Sequence, residues 1–315
     1  MKMEKKLAII VPCYNEEEML PTTQLKLLKK LNQLISDKLI IGGKIYFVDD
    51  GSSDKTWSLI ENYCERDSKF SGIKLSKNFG HQSALIAGLF TNDCDVSISI
   101  DADLQDDLDV MDDMLKKYNS GCEIVYGVRD KREKDSFLKK HTALGYYKIL
   151  NLLGVDIIYN HADYRLMSAT AVGVLSEFKE SNLFLRGLIP KLGFKTSKVY
   201  YNRGDREFGE TKYPLSKMLM LAVDGITSFS VVPLRIITII GILSLFFSVL
   251  FGFYALYLKL FLGVALLGWT TIILLITFFG GLNLFSLGVV GEYIGKIYME
   301  TKKRPRYIIE EKINK

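Results

Sequence analysis

The chain has 315 residues, 48% of them hydrophobic, and carries 41 Lys and Arg against 36 Asp and Glu, a net charge of +5. This length and apolar content can bury a large core and allow about two domains. The weakly basic balance suits anionic lipid or phosphate partners but does not by itself select them over nucleic acid, which is not among the partners expected from the chain as a whole. Cys13, Cys64, Cys94 and Cys122 have no paired CxxC spacing, so they read as reduced, mostly buried thiols of a cytosolic compartment and not as a disulfide framework or zinc site. The N-terminal apolar run is about six residues long, shorter than a secretory signal requires.

Leu7 to Val11 is a continuous apolar run closed by Pro12, the pattern of a buried parallel strand that runs into a loop. Asn15 and Glu18 have capping-box spacing, and Leu20, Leu27, Leu28, Leu31 and Leu34 recur near the helical period, so a helix follows. A second strand, Ile45 to Val48, runs into Asp49, Asp50 and Gly51, with a helix over Lys55 to Arg66. Further strands are predicted at Ile73 to Leu75, Val96 to Ile100, Glu123 to Tyr126 and Lys198 to Tyr200, and helices at His81 to Phe90 and Leu108 to Tyr118. Alternating strand and helix define an α/β fold with a mainly parallel sheet. Ligands of such sheets sit at the carboxyl ends of the strands. The polar clusters PCYNE, DDGSSD and DADLQDD fall at those ends.

From Val231 to Gly291 only Arg235 and Lys259 are charged. Two apolar stretches, 232–258 and 261–287, each exceed the roughly 20 residues a helix needs to cross a bilayer. Lys259 lies in a short connector, which predicts a two-helix transmembrane hairpin. Arg235 at its entry and Lys296, Lys302, Lys303, Arg304 and Arg306 after its exit place both ends, and the preceding domain, in the cytoplasm. The less hydrophobic segment 214–231 has the character of an interfacial amphipathic helix. Phe137 to Leu153 fits either that description or an ordinary helix packed on the sheet. Residues 292–315 read as a cytoplasmic basic tail. Gly252, Gly280 and Gly281 leave room for helix association into a homo-oligomer.

Asp101, Ala102 and Asp103 follow a strand of alternating Val and Ile and so lie on an exposed tip. Two carboxylates at this spacing can hold a hard divalent cation, or they can favour the start of the next helix together with Asp106, Asp107 and Asp109. The order VPCYNE, VDDGSSD, LSKNFGHQSALIAG, DADLQ resembles the family 2 glycosyltransferases over about residues 1–230. ADYRLM at Ala162 to Met167, RGDREFGETKYPLSKM at Arg203 to Met218 and the paired C-terminal helices narrow the likeness to the polyprenyl-phosphate type, such as bactoprenol glucosyltransferases and dolichol-phosphate mannose synthases.

The resemblance implies a glycosyltransferase A type domain over 1–213 and a membrane-bound enzyme of the cell envelope. It implies inverting, Mg²⁺- or Mn²⁺-dependent transfer of a sugar from a UDP-sugar to polyprenyl phosphate, with glucose the first choice and N-acetylglucosamine the second. Pro12, Tyr14, Asn15 and Glu16 would line the nucleotide pocket, and Asp49 and Asp50 would contact base and ribose. Asp101 and Asp103 would hold the metal and diphosphate, beside Ala102 and Gln105. Asp163 matches a proposed general base, although an anionic phosphate acceptor leaves it little proton to remove. Arg203, Arg206, Thr211 and Lys212 match a loop that closes over the phosphates, and Arg129 is a further candidate for the acceptor phosphate. The competing readings are transfer from GDP-mannose and a non-enzymatic lipid-binding scaffold. The scaffold would have no reason to set carboxylates at several strand ends beside a DxD.

Overall fold

The computed structural model describes residues 5–129, 161–180, 185–202, 230–261 and 268–314. Strand and helix alternate from the start: β1 (Lys6–Cys13), α1 (Leu20–Ser36), β2 (Gly42–Asp49), α2 (Thr56–Arg66), β3 (Phe70–Leu75), α3 (His81–Thr91), β4 (Val96–Ser99), α4 (Val110–Asn119) and β5 (Ile124–Arg129). Then come β6 (His161–Ser168), α5 (Ala169–Glu177), a helical turn at Leu185–Leu188 that continues as a 3₁₀ turn at Ile189–Leu192, and β7 (Thr196–Tyr201). After two long helices the chain ends in β8 (Ile309–Ile313).

One sheet holds all eight strands in the order β7-β5-β6-β4-β1-β2-β3-β8. The pairs β1–β2, β1–β4, β2–β3 and β5–β7 are parallel, while β4–β6, β5–β6 and β3–β8 are antiparallel. Leu7 to Val11 are buried without interruption because helices cover β1 on both faces, which is why the run does not alternate with polar residues. One helical stripe of α1 (Leu20, Leu27, Leu31, Leu34) is buried against the sheet. On the other face α3 lies close to β1: a Cβ at Gly88 would stand 2.4 Å from Ile10 Cγ2.

The four helices expected between the strands and the six expected strands are present, but the capping box is not. The α1 helix begins at Leu20 with Met19 as an N-cap that makes no side-chain bond, and Asn15 bonds elsewhere. Two strands are additions to the sequence reading. His161–Ser168 carries a run of polar types yet lies antiparallel between β4 and β5. Ile309–Ile313 falls in the stretch expected as a basic tail; instead it pairs with β3. Ser71 Oγ donates to the Ile313 carbonyl at 2.9 Å, Asn314 Nδ2 to the Phe70 carbonyl at 3.2 Å, and Lys74 meets Glu310 at 3.4 Å.

Two units divide the described chain: residues 5–202 with 303–314, and residues 230–302. The second unit holds α6 (Val232–Phe261, 30 residues) and α7 (Trp269–Thr301, 33 residues). Their segments Val232–Tyr254 and Leu275–Thr301 are long and apolar enough to cross a membrane. Side chains such as Phe253 and Leu260 stand 68% and 72% exposed, a state water penalises and lipid does not. Tyr293 donates its hydroxyl to the Ser230 carbonyl at 2.6 Å, which ties the start of α6 to the last third of α7. The interfacial segment expected at 214–231, except its last two residues, and the one at Phe137–Leu153 lie outside the described residues.

Because β8 covers the otherwise open edge of β3, a chain stopped after Tyr307 should lose roughly 2–4 kcal/mol of stability. The measurement is the thermal midpoint in detergent, expected to fall by roughly 5–10 °C with more aggregation. An unchanged midpoint would count against the pairing.

Candidate active site

The loops that follow β1 and β2 are laced together by side chain to backbone bonds. Asn15, at a left-handed φ of 54°, receives the Ser53 amide hydrogen on Oδ1 at 2.9 Å and donates its own amide to Ser52 Oγ at 2.9 Å. The Glu16 amide donates to Thr56 Oγ1 at 2.9 Å. Asp54 accepts the amides of Thr56 and Glu17 at 3.0 and 3.1 Å. Burial works against ionisation of Asp54, but these bonds outweigh it and hold its carboxyl below the usual range.

Asp50, at the end of β2, fastens the next loop in a similar way. It accepts the amides of Phe79 at 2.7 Å and Gly80 at 2.9 Å, one on each oxygen. Its burial is the larger effect and raises its pKa despite both bonds. Gly51, at φ +68°, leaves no room for a side chain, since a Cβ would lie 2.4 Å from the Lys77 carbonyl carbon. The loop before α3 is thereby pressed onto the end of β2. It delivers His81, whose Nε2 lies 3.0 Å from Asp101 Oδ1. Desolvation lowers the His81 pKa, but the Asp101 carboxylate outweighs it and the net direction is upward.

The DAD segment after β4 is fixed from below. Thr23 Oγ1 on α1 donates to the Ala102 carbonyl at 2.7 Å, and Asp103 Oδ1 accepts the Gln105 amide at 3.2 Å. Asp106 is buried and takes Arg129 Nη2 at 3.0 Å and the Tyr201 hydroxyl at 2.5 Å on one oxygen. Burial raises its pKa, opposed first by Arg129.

Beyond β4 the register pairs Ser99 with Arg165 and Ser97 with Met167. Continued by two residues, it brings Asp163 level with Asp101. Asp163 is held by two guanidiniums: Arg165, which is fully buried, and Arg186, whose Nη2 lies 3.1 Å from Oδ2. Burial would raise the Asp163 pKa, yet Arg186 and then Arg165 overcome it and hold the carboxyl well below the usual range. A carboxylate so held has little affinity for a proton, which favours an orienting role over a basic one.

A cleft of about 770 Å³ opens at the carboxyl ends of β1, β2 and β4. Of the expected site residues, Pro12, Tyr14, Asn15, Glu16, Asp50, Asp101, Ala102 and Asp103 line it. Asp49 is completely buried, accepts the Ser52 amide at 3.3 Å, and does not reach the cleft wall. Gln105 is also buried and off the wall. Arg129 is tied to Asp106, and Asp163 stands beside the cleft without lining it. Arg203, Arg206, Thr211 and Lys212 lie outside the described residues. Ser53, Asp54 and Asn78 line the cleft as well and were visible only as members of polar clusters; Arg186 gave no sequence signal.

Among the described residues no group of three or more His, Cys, Asp or Glu side chains is gathered for a metal. Two hard carboxylates on a cleft wall still fit a divalent cation that takes its other ligands from phosphate oxygens and water. A mainly parallel α/β sheet with such an acidic cleft at its carboxyl end is the architecture of the A-type glycosyltransferase fold. The family model Glycosyl transferase family 2 matches residues 8–175, and the chain belongs to that family. It is 51% identical over 96% of its length to YkoT, an uncharacterized glycosyltransferase of Bacillus subtilis (strain 168), and covers 91% of it. It is 38% identical to the prophage bactoprenol glucosyl transferase homolog of Escherichia coli (strain K12), over 97% of this chain and 98% of that one. With the bactoprenol glucosyl transferase of Shigella phage SfX the identity is 37%, over 98% and 99%. Among solved structures, glucosyl-3-phosphoglycerate synthase from Mycobacterium tuberculosis aligns at a TM-score of 0.46 and 13% identity over 71% of this chain and 76% of that one.

Replacing Asp163 by Asn strands the buried Arg165 and should cost about 3–5 kcal/mol near neutral pH. The Asp163 pKa is depressed by folding, so its contribution is full above the unfolded value near 4 and is lost as pH falls below it. Thermal midpoints of wild type and Asp163→Asn should therefore differ most at pH 6–7 and converge in acid. A constant difference would contradict the pairing.

Proposed function

We propose that this enzyme transfers a sugar from a nucleotide sugar to a polyprenyl phosphate at the cytoplasmic membrane face, with UDP-glucose the first donor and UDP-N-acetylglucosamine the next. The observation that carries the reading is the cleft in which Asp50, Asp54, Asp101 and Asp103 converge beside Tyr14, in a chain that also has two helices apolar enough for a bilayer. The names of relatives aligned over nearly the full chain support a glucosyl donor and a bactoprenol-type carrier.

Tyr14, 49% exposed on the cleft wall, offers a ring to the nucleobase. The carboxylates of Asp50 and Asp54 keep lone pairs for ribose hydroxyls while their backbone bonds hold the walls in place. Asp101 and Asp103 would hold Mg²⁺ or Mn²⁺, which offsets charge on a diphosphate leaving group. An acceptor phosphate, with a second pKa near 6, is largely ionised at neutral pH and attacks the anomeric carbon without a base. Attack from the side opposite the diphosphate inverts the anomeric centre. One strand of the sheet, β8, follows the helical pair, and seven precede it, which supports an even number of crossings and both ends on one side. Lys296, Lys302, Lys303, Arg304 and Arg306 after the second apolar helix favour the cytoplasm for that side.

The reading is tested with detergent-solubilised protein, a panel of labelled nucleotide sugars and undecaprenyl phosphate. Label should enter the lipid from UDP-glucose, and a failure of every donor to label it would refute the assignment. Asp103→Asn should cut transfer by about 100-fold or more at an unchanged thermal midpoint. Chelator should abolish transfer and Mg²⁺ or Mn²⁺ restore it; near-normal rates in chelator would remove the metal from the scheme.

A further inference from the structure

The segment Asn78 to Gln82 is tied down on both sides of His81. Asp50 takes the amides of Phe79 and Gly80, and Gln82 Oε1 takes the Leu185 amide at 3.1 Å. His81 opens α3 with its ring turned to Asp101, and Nε2 lies 3.0 Å from Oδ1. A carboxylate oxygen only accepts, so Nε2 carries the hydrogen and donates, whether or not Nδ1 is protonated. Both side chains line the cleft, at 45% and 37% exposure.

Each carboxylate of the DAD segment receives an N–H, but from different places. Asp103 Oδ1 accepts the Gln105 amide of its own loop at 3.2 Å. For Asp101, among the described residues, the ring of His81 is the one group bonded to the carboxylate, and it comes from another loop. A part-exposed Asp side chain turns about its two torsions, and a cation that binds it must stop that motion. A donor held on a fixed loop stops it in advance. The bond occupies Oδ1 and leaves Oδ2 for a cation, so Asp101 would enter as a one-oxygen ligand, which suits the octahedral demand of Mg²⁺.

We propose that His81 is the positioning residue of the cation site, holding the Asp101 carboxylate so that its other oxygen meets the metal. The inference rests on the metal-dependent transferase reading above. In this role His81 touches neither the cation nor the sugar; it acts through Asp101, as hydrogen-bonded partners behind a metal ligand generally do. The end of β2 is thereby linked to a site that follows β4, through Asp50, the loop it clamps and the His81 ring.

The test titrates Mn²⁺ into the full chain in detergent and follows the free ion by electron paramagnetic resonance, for wild type, His81→Ala, His81→Gln and Asp101→Asn. His81→Ala should weaken Mn²⁺ binding about ten- to hundredfold. His81→Gln should restore most of the affinity, because its side-chain amide donates from nearly the same reach. The transfer rate lost in His81→Ala should return as Mn²⁺ is raised. Equal Mn²⁺ affinity in wild type and His81→Ala overturns the proposal, as does a His81→Gln variant no better than His81→Ala. Weaker UDP binding by His81→Ala in the absence of metal would assign the ring to the nucleotide and overturn it as well. If Asp101→Asn binds Mn²⁺ as wild type does, the cation is not at this segment, and the metal part of the reading falls together with the proposal. If wild type binds Mn²⁺ through Asp101 yet transfers no sugar, the transferase reading fails while the His81 result stands. Thermal midpoints of the His81 variants without metal should stay within about 3 °C of wild type, because a part-exposed pair adds little to stability.

Discussion

Each loop at the catalytic end of the sheet is shaped by a side chain from its neighbour. Asp50, at the end of β2, takes the amide hydrogens of the loop before α3. Asp54 takes those of Glu17 and Thr56, and Asn15 is fastened to Ser52 and Ser53. Thr23 reaches from the first helix to the carbonyl of Ala102. Backbone amides can offset carboxylate charge without adding a cation that would fill the cleft. The cleft therefore keeps an acidic wall of defined shape, on which a cation and the polar groups of a nucleotide sugar can be received.

The second constraint is the reversal of β6. Had that strand run parallel to β4, its start would lie at the opposite end of the sheet, and Asp163 would stand far from Asp101. Its antiparallel register brings the beginning of the strand to the carboxyl end of β4 and sets a paired carboxylate beside the DAD segment. Asp163 remains ionised there through two guanidiniums, while Asp106, a few residues from the DAD segment, is matched by Arg129 and Tyr201. Acidic groups on the two sides of Asp103 are thus stabilised by different means: amides toward β2, guanidiniums toward β6 and β5.

Much of this was legible in the residues. Continuous apolar runs closed by Pro12, by Asp49 and by Asp101 marked the strands that carry the cleft, because a strand buried on both faces admits no alternation. What escaped was tertiary in origin. HADYRLMS lacks an apolar run, since Asp163 and Arg165 hold an ion pair with each other, so strand propensity was hidden by function. Asp49 and Asp50 are adjacent and chemically identical, but successive strand residues face opposite ways; only Asp50 lines the cleft, and Asp49 is sealed below it. Arg129 looked available for phosphate until β7 supplied Tyr201 and the DAD loop supplied Asp106. Arg186 depends on a contact 23 residues away in sequence and on the anchoring of its turn to Gln82, neither of which has a local signature.

The eighth strand has a consequence for how the protein is made. A ribosome emits β3 more than two hundred residues before Ile309–Ile313. Throughout that interval the hydrogen-bonding groups along the outer side of β3 have no strand beside them, while the two long apolar helices emerge. The edge of β3 therefore stays uncovered until the segment after both helices has been made. A chain in which Ile309–Ile313 is not yet paired presents that bare sheet edge, a form open to aggregation.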